Sequence, residues 1–236
     1  MRNLSLTTIG GICGVLTTAS FVVGIAVMGG SGVQVLIPET GNNGLDWIAD
    51  VDSANGIFFV GAWFIILGGV FALVAFVGFY EPLREAGAVM ILAPVLGAVG
   101  MVLVTISHLI PIAMAYELVP DYVGASGATK ASIASTFDAF AITSLVLNYA
   151  GDFLVWGVVT PLYGYSVLKT GAAPRWIGWL GIIGVGVFAG LLNALSPASG
   201  VAEGLSFIGF VSFFVFMASL GVALLRRSRT ATVAPA

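Results

Sequence analysis

The sequence predicts an all-α integral membrane protein, a six-helix bundle with both termini in the cytoplasm. Three observations carry that expectation. Hydrophobic residues make up 59% of the 236 and charged residues 8%, with a mean hydropathy of +1.09, which leaves too little polar surface to cover a soluble globule of this length. The apolar residues fall in long blocks, each near or above the ~20 that a spanning helix needs, rather than in the alternating pattern of a barrel strand. The lysines and arginines fall almost entirely on one side of the resulting threading.

The blocks place spans at 7–29, 55–79, 87–115, 144–168, 175–195 and 204–225. Residues 1–225 then form a single six-span domain and 226–236 a cytoplasmic tail, whose low-complexity TATVAPA end is expected to be disordered. Arg2 precedes an apolar stretch longer than the ~7–15-residue core of a signal peptide, so that stretch is read as a retained first span. The first outer loop, SGVQVLIPETGNNGLDWIADVDSAN, is expected to fold over the outer mouth with Trp47 at headgroup level. Tyr80 to Glu85 is a turn short enough to make the second and third helices an antiparallel pair.

The second outer segment, 116–143, opens with turn residues and continues as GATKASIASTFDAFAITS, the pattern of a short interfacial helix that serves as a lid or as a connector. In LKTGAAPRW, residues 168–176, Gly171 suits a helix C-cap and Pro174 the start of the next helix. Gly10 and Gly14, Gly186 and Gly190, and the series Gly178, Gly181 and Gly184 allow close helix approach, within the bundle or in a homo-oligomer.

Charge sets the orientation. Arg2, Arg84, Lys169, Arg175, Arg226, Arg227 and Arg229 lie on one side and Lys130 on the other, which predicts a multi-pass protein of the cytoplasmic (plasma) membrane with both termini inside. The outer side is acidic, through Glu39, Asp46, Asp50, Asp52, Glu117, Asp121, Asp138 and Glu203. That face is either a cation-attracting surface or simply a solvated one.

The side-chain inventory narrows the chemistry. Cys13 is the only cysteine and His108 the only histidine, so an intramolecular disulfide, a bis-histidine haem site and a cluster of the usual zinc ligands are not expected. No CxxC, P-loop, GxGxxG or HExxH motif is present. No metal, cofactor, catalytic residue or nucleic-acid partner is therefore assigned, and an enzyme is the less favoured class.

What remains is a polar layer in the outer half of the spans. His108, in VLVTISHLIPIAMAYEL, is 20 residues beyond Ala88, Asp152 is 17 before Lys169, Asn193 is 18 beyond Arg175 and Trp63 is 18 before Glu81. At ~1.5 Å per residue all four lie ~25–30 Å from the inner surface. Asn148 is four residues before Asp152, Trp156 one turn further in, and Thr105 three before His108. Together they are the candidate lining of an outward-facing pocket for a small solute or cation. Asp152 is either its functional centre or a structural hydrogen-bonding group; His108 is its partner or a structural histidine, the tryptophans bind or pack, and the asparagines line the pocket or bond across helices. Pro111 and Pro161 are expected to bend their helices.

Residues 169–195, KTGAAPRWIGWLGIIGVGVFAGLLNAL, carry a Pro-Arg-Trp start followed by Trp179 and Gly181 in a glycine-rich span. This resembles the fifth-helix region of the bacterial and archaeal family called domain of unknown function 4386, whose length and six-span layout are similar. The resemblance implies fold and membrane location only, because the family has no assigned activity. NYAGDFLVWG, around Asp152, departs from the Arg-Asp and Gly-His wording of that family, so no site residue is carried over. Three classes of function follow: small-solute or ion transport or sensing through the polar layer, an accessory or assembly subunit of a larger membrane complex, and an intramembrane enzyme using His108 and Asp152 as acid and base.

Overall fold

The computed structural model of the protein describes residues 5–33, 36–54, 56–191 and 200–231. They are almost wholly helical, with no strand among them: α1 (Leu6–Gly30), α2 (Asn42–Ser53), α3 (Ile57–Gly78), α4 (Tyr80–Leu83) leading into a 3-10 turn (Arg84–Ala86), α5 (Val89–Gly124), α6 (Gly127–Asp152), α7 (Thr160–Thr170), α8 (Arg175–Trp179) and α9 (Gly200–Ala231). Wide π-helical turns occupy Phe153–Val159 and Leu180–Leu191, making α6 to α7 one helical path and prolonging α8. Leu6–Gly30, Ile57–Gly78, Val89–Gly124, Gly127–Thr170 and Gly204–Ser228 are each long and apolar enough to cross a bilayer. The fifth predicted span corresponds to the shorter apolar helix Arg175–Leu191, and its predicted end at 195 lies outside the described residues. The fold class is thus the all-α membrane fold that composition predicts.

Two bounds differ from the sequence reading. The segment 116–143 is neither a loop nor a separate interfacial helix: α5 continues to Gly124, α6 begins at Gly127, and only Ala125 and Ser126 join them. At ~1.5 Å per residue the 36 residues of α5 extend roughly 54 Å, well beyond a ~30 Å hydrocarbon core. Hydropathy detects where a helix leaves lipid, whereas the helix itself ends only where backbone hydrogen bonding ends, here at the positive φ of Gly127. Likewise α9 runs to Ala231, so the first residues of the predicted tail are helical.

The chain forms two compact units. The second, residues 20–67 and 103–150, holds α2, whose Gly44, Trp47, Ile48 and Val51 form one buried face at helical spacing. Trp47 is not at a headgroup-facing surface: it is 4% exposed, with ring centroids 5.7 Å from both Phe58 of α3 and Phe137 of α6. Gly44 presses on the Phe137 ring, and the Gly41 N–H donates to Asp138 Oδ1 at 3.0 Å. Loop and hairpin are therefore tied together, and Phe59 stacks on Tyr116 with centroids 4.1 Å apart.

The first unit, residues 1–19, 68–102 and 151–236, packs backbone on backbone. A side chain on Gly10 would meet the Gly78 backbone at 2.6 Å, one on Gly14 the Met217 carbonyl at 2.8 Å, and one on Gly164 the Gly178 carbonyl at 2.5 Å. Gly190 abuts Gly157, and Gly181 faces the ring of Phe216. Such contacts supply the dispersion energy that holds helices together where lipid already satisfies their apolar surface. Outward faces carry long apolar side chains at helical spacing, such as Ile91, Leu92, Val95, Val99 and Val102 on α5.

Gly10→Ala is expected to destabilise the protein by about 1–3 kcal/mol, because the added methyl meets backbone that cannot move aside. Gly29→Ala, with open space around it, is expected to be neutral or stabilising. Thermal unfolding of both variants in one detergent checks the contrast.

Candidate functional site

Proline shapes both regions that carry the candidate residues. In the second unit, Pro111 has no N–H to offer the carbonyl of Ser107 one turn earlier, and an orphaned carbonyl inside a bilayer is costly. Ser144 on α6 repairs the gap: its hydroxyl donates to the Ser107 carbonyl at 2.7 Å. The Ser107 hydroxyl in turn lies 2.7 Å from the Val104 carbonyl and 3.2 Å from Asn148 Oδ1. Both serines are fully buried. The result is a polar knot joining α5 to α6, with His108 and Thr105 half-buried on α5 beside it.

Asn148 belongs to this knot as a member, but Ser107 and Ser144, which hold it together, are absent from the predicted set. Their signal is present in the sequence as a serine four residues before a proline and a serine four before Asn148. Trp63 is 45% exposed and lies on the outward apolar face of α3 with Val60, Leu67 and Val70. Asn193 lies outside the described residues.

In the first unit, Asp152 ends α6 and is 8% exposed. The wide turns that begin at Phe153 have a local cause. Pro161 cannot donate to the carbonyl four residues back, and the helix loosens ahead of it. The Thr160 N–H reaches back five residues to the Val155 carbonyl, and the Thr160 hydroxyl adds a second bond to the same oxygen at 2.7 Å. Trp156, within those turns, packs edge-on against Phe210 with centroids 5.9 Å apart and is tilted against Phe213 at 6.3 Å.

Asp152 and Trp156 therefore belong to one unit, and His108, Thr105, Asn148 and Trp63 to the other. Tyr163, unmarked by sequence reasoning, is fully buried and donates to the Phe76 carbonyl in the last turn of α3, against the rings of Phe76 and Phe79. Lys169 caps the 3-10 turn through the Ala86 carbonyl at 3.0 Å. Among the described residues no group of three or more His, Cys, Asp or Glu is placed to hold a metal ion.

The family model described as domain of unknown function (DUF4386) matches residues 12–227. The chain belongs to the DUF4386 family. The match takes in both π segments, the polar knot and Asp152, extending the resemblance first carried by residues 169–195 over nearly the whole chain. No curated relative and no solved structure matches. In this DUF4386 protein the Pro-Arg-Trp motif is a helix start: Pro174 is the N-cap of α8 with φ −54°, following the left-handed Gly171 that closes α7 at φ 65°.

Ser144→Ala is expected to cost about 0.6–1.7 kcal/mol, the range of interhelical hydrogen bonds in membranes. In a Pro111→Ala background, where residue 111 regains its N–H, the same substitution is expected to cost much less. A double-mutant cycle on thermal unfolding in detergent measures that coupling.

Proposed function

We propose that this DUF4386 protein binds a small solute or cation within the membrane, for transport or sensing, with Asp152 as the binding carboxylate. One observation carries the reading: Asp152 is buried, in a helical path apolar enough to span a bilayer, at the residue where regular α-helix gives way to π turns. Ionisable groups in spans are expensive and face the protein interior or a cavity, where they mark solute and ion paths. Loosened turns concentrate at such sites because they free backbone carbonyls for a ligand.

Native mass spectrometry of the gently purified protein tests this. A small molecule or ion retained by the wild type and lost in Asp152→Asn is the expected result. A retained protein, unaffected by that substitution, would instead favour the accessory-subunit reading and leave Asp152 a structural group.

The acidic face is proposed to lie outside the cytoplasmic membrane and the cationic turns inside. The bias of Arg84, Lys169, Arg175, Arg226 and Arg227 against Lys130 along the threading supports this orientation. In a Cys13→Ala background a membrane-impermeant maleimide applied to intact cells is expected to label Ser126→Cys, and Glu85→Cys only after permeabilisation. The reverse pattern would invert the topology.

A further inference from the structure

A second concave site lies in the α5–α6 hairpin, away from the residues assigned above. Ile110, Ala113, Met114, Glu117 and Leu118 of α5 and Phe140 of α6 line a half-open groove of about 240 Å³. Five of the six are apolar, and Glu117 is the one ionisable group on the wall. It is exposed, and no hydrogen bond or ion pair engages it among the described residues. Lys130, the hairpin's lysine, lies over the Tyr122 ring at 4.4 Å from its centroid.

The groove is placed where α5 leaves lipid. Counted from Ile91, the first exposed large apolar residue of that helix, a ~30 Å hydrocarbon core takes ~20 residues at ~1.5 Å each and ends near Ile110, while exposed Tyr116 and Val123 continue the stripe beyond it. Ile110 to Leu118 begin at that level, so the groove sets an almost wholly apolar wall beside the exposed Glu117 where amphiphiles sit. Seven carboxylates against one lysine leave residues 20–67 and 103–150 with a formal charge of −6, a field that concentrates cations and repels anions.

We propose that this groove binds an amphipathic organic ammonium compound, with its apolar body against Met114, Leu118 and Phe140 and its cationic head at Glu117. The volume is about one and a half times the ~150 Å³ cavity that accepts benzene, which suits one ring with a compact head. Thioether and phenyl walls adapt to varied apolar bodies, and the Phe140 face adds attraction for the cation. A neutral lipid tail would use the wall but not the carboxylate or the field. The site stands whether or not Asp152 binds a solute.

The test is isothermal titration calorimetry of the full chain in phosphatidylcholine nanodiscs, with benzyltrimethylammonium as probe, its uncharged isostere neopentylbenzene as comparison and empty discs as blank. One saturable site per chain is expected for the cation, weakening with added salt. Glu117→Gln is expected to weaken it roughly three- to tenfold, the effect of losing one ion pair at a partly desolvated surface. Ala113→Phe, which fills the groove from an exposed position, is expected to abolish it. Both variants should unfold at the wild-type temperature. Absence of saturable binding by the wild type, equal binding by Glu117→Gln, or preference for the uncharged isostere would overturn the proposal.

Discussion

Inside a bilayer no water is available to satisfy a backbone carbonyl, and this constraint governs the structure. Helices answer it for most residues at once, which is why the described chain is helical. Each departure from regular helix then needs its own donor. Ser144 supplies one to Ser107 across from Pro111, and Thr160 supplies two to Val155 ahead of Pro161. Tyr163 serves Phe76 at the end of α3 and Lys169 serves Ala86 at the end of the 3-10 turn. Ser144, Thr160, Tyr163 and Lys169 are thus repairs to the backbone placed where prolines and helix ends fall, whereas the buried Thr17 and Ser166 bond the carbonyl four residues back in regular helix.

Glycine answers a second constraint. Lipid is as good a solvent as leucine for an apolar face, so burying that face gains little and helix association depends on close contact. Gly10 with Gly78 and Gly157 with Gly190 bring backbones together without an intervening side chain. The same tight packing leaves few places for a ligand. A groove in the α5–α6 hairpin, lined by Glu117 and five apolar residues, is one such place among the described residues.

Charge is divided as sharply as hydropathy. The first unit carries the described arginines and Lys169, and the second carries a net excess of carboxylates with Lys130 held over Tyr122. Such a division biases what approaches each unit. A surface that gathers cations is consistent with the exposed Glu117 of the second unit meeting positively charged ligands rather than anions.

Hydropathy is a local property, and what depends on it was determined by the sequence alone: the all-α membrane class, the first two apolar helices to within a few residues, and the turn chemistry of Gly171 and Pro174. Partner choice was decided only in the tertiary structure. These helices are apolar on every side, so no periodic stripe announces which face meets protein and which meets lipid; Trp63 and Trp47 carry the same side chain, yet one is exposed and the other is locked between Phe58 and Phe137. For the same reason Asn148 was legible as a polar group but its partner Ser107, 41 residues away, was not. The length of the α5–α6 hairpin was hidden because it extends beyond lipid, where polar composition resembles a loop. The loosening ahead of Pro161 was foreseeable from the missing N–H, but that Gly157 would there rest on Gly190 required the fold.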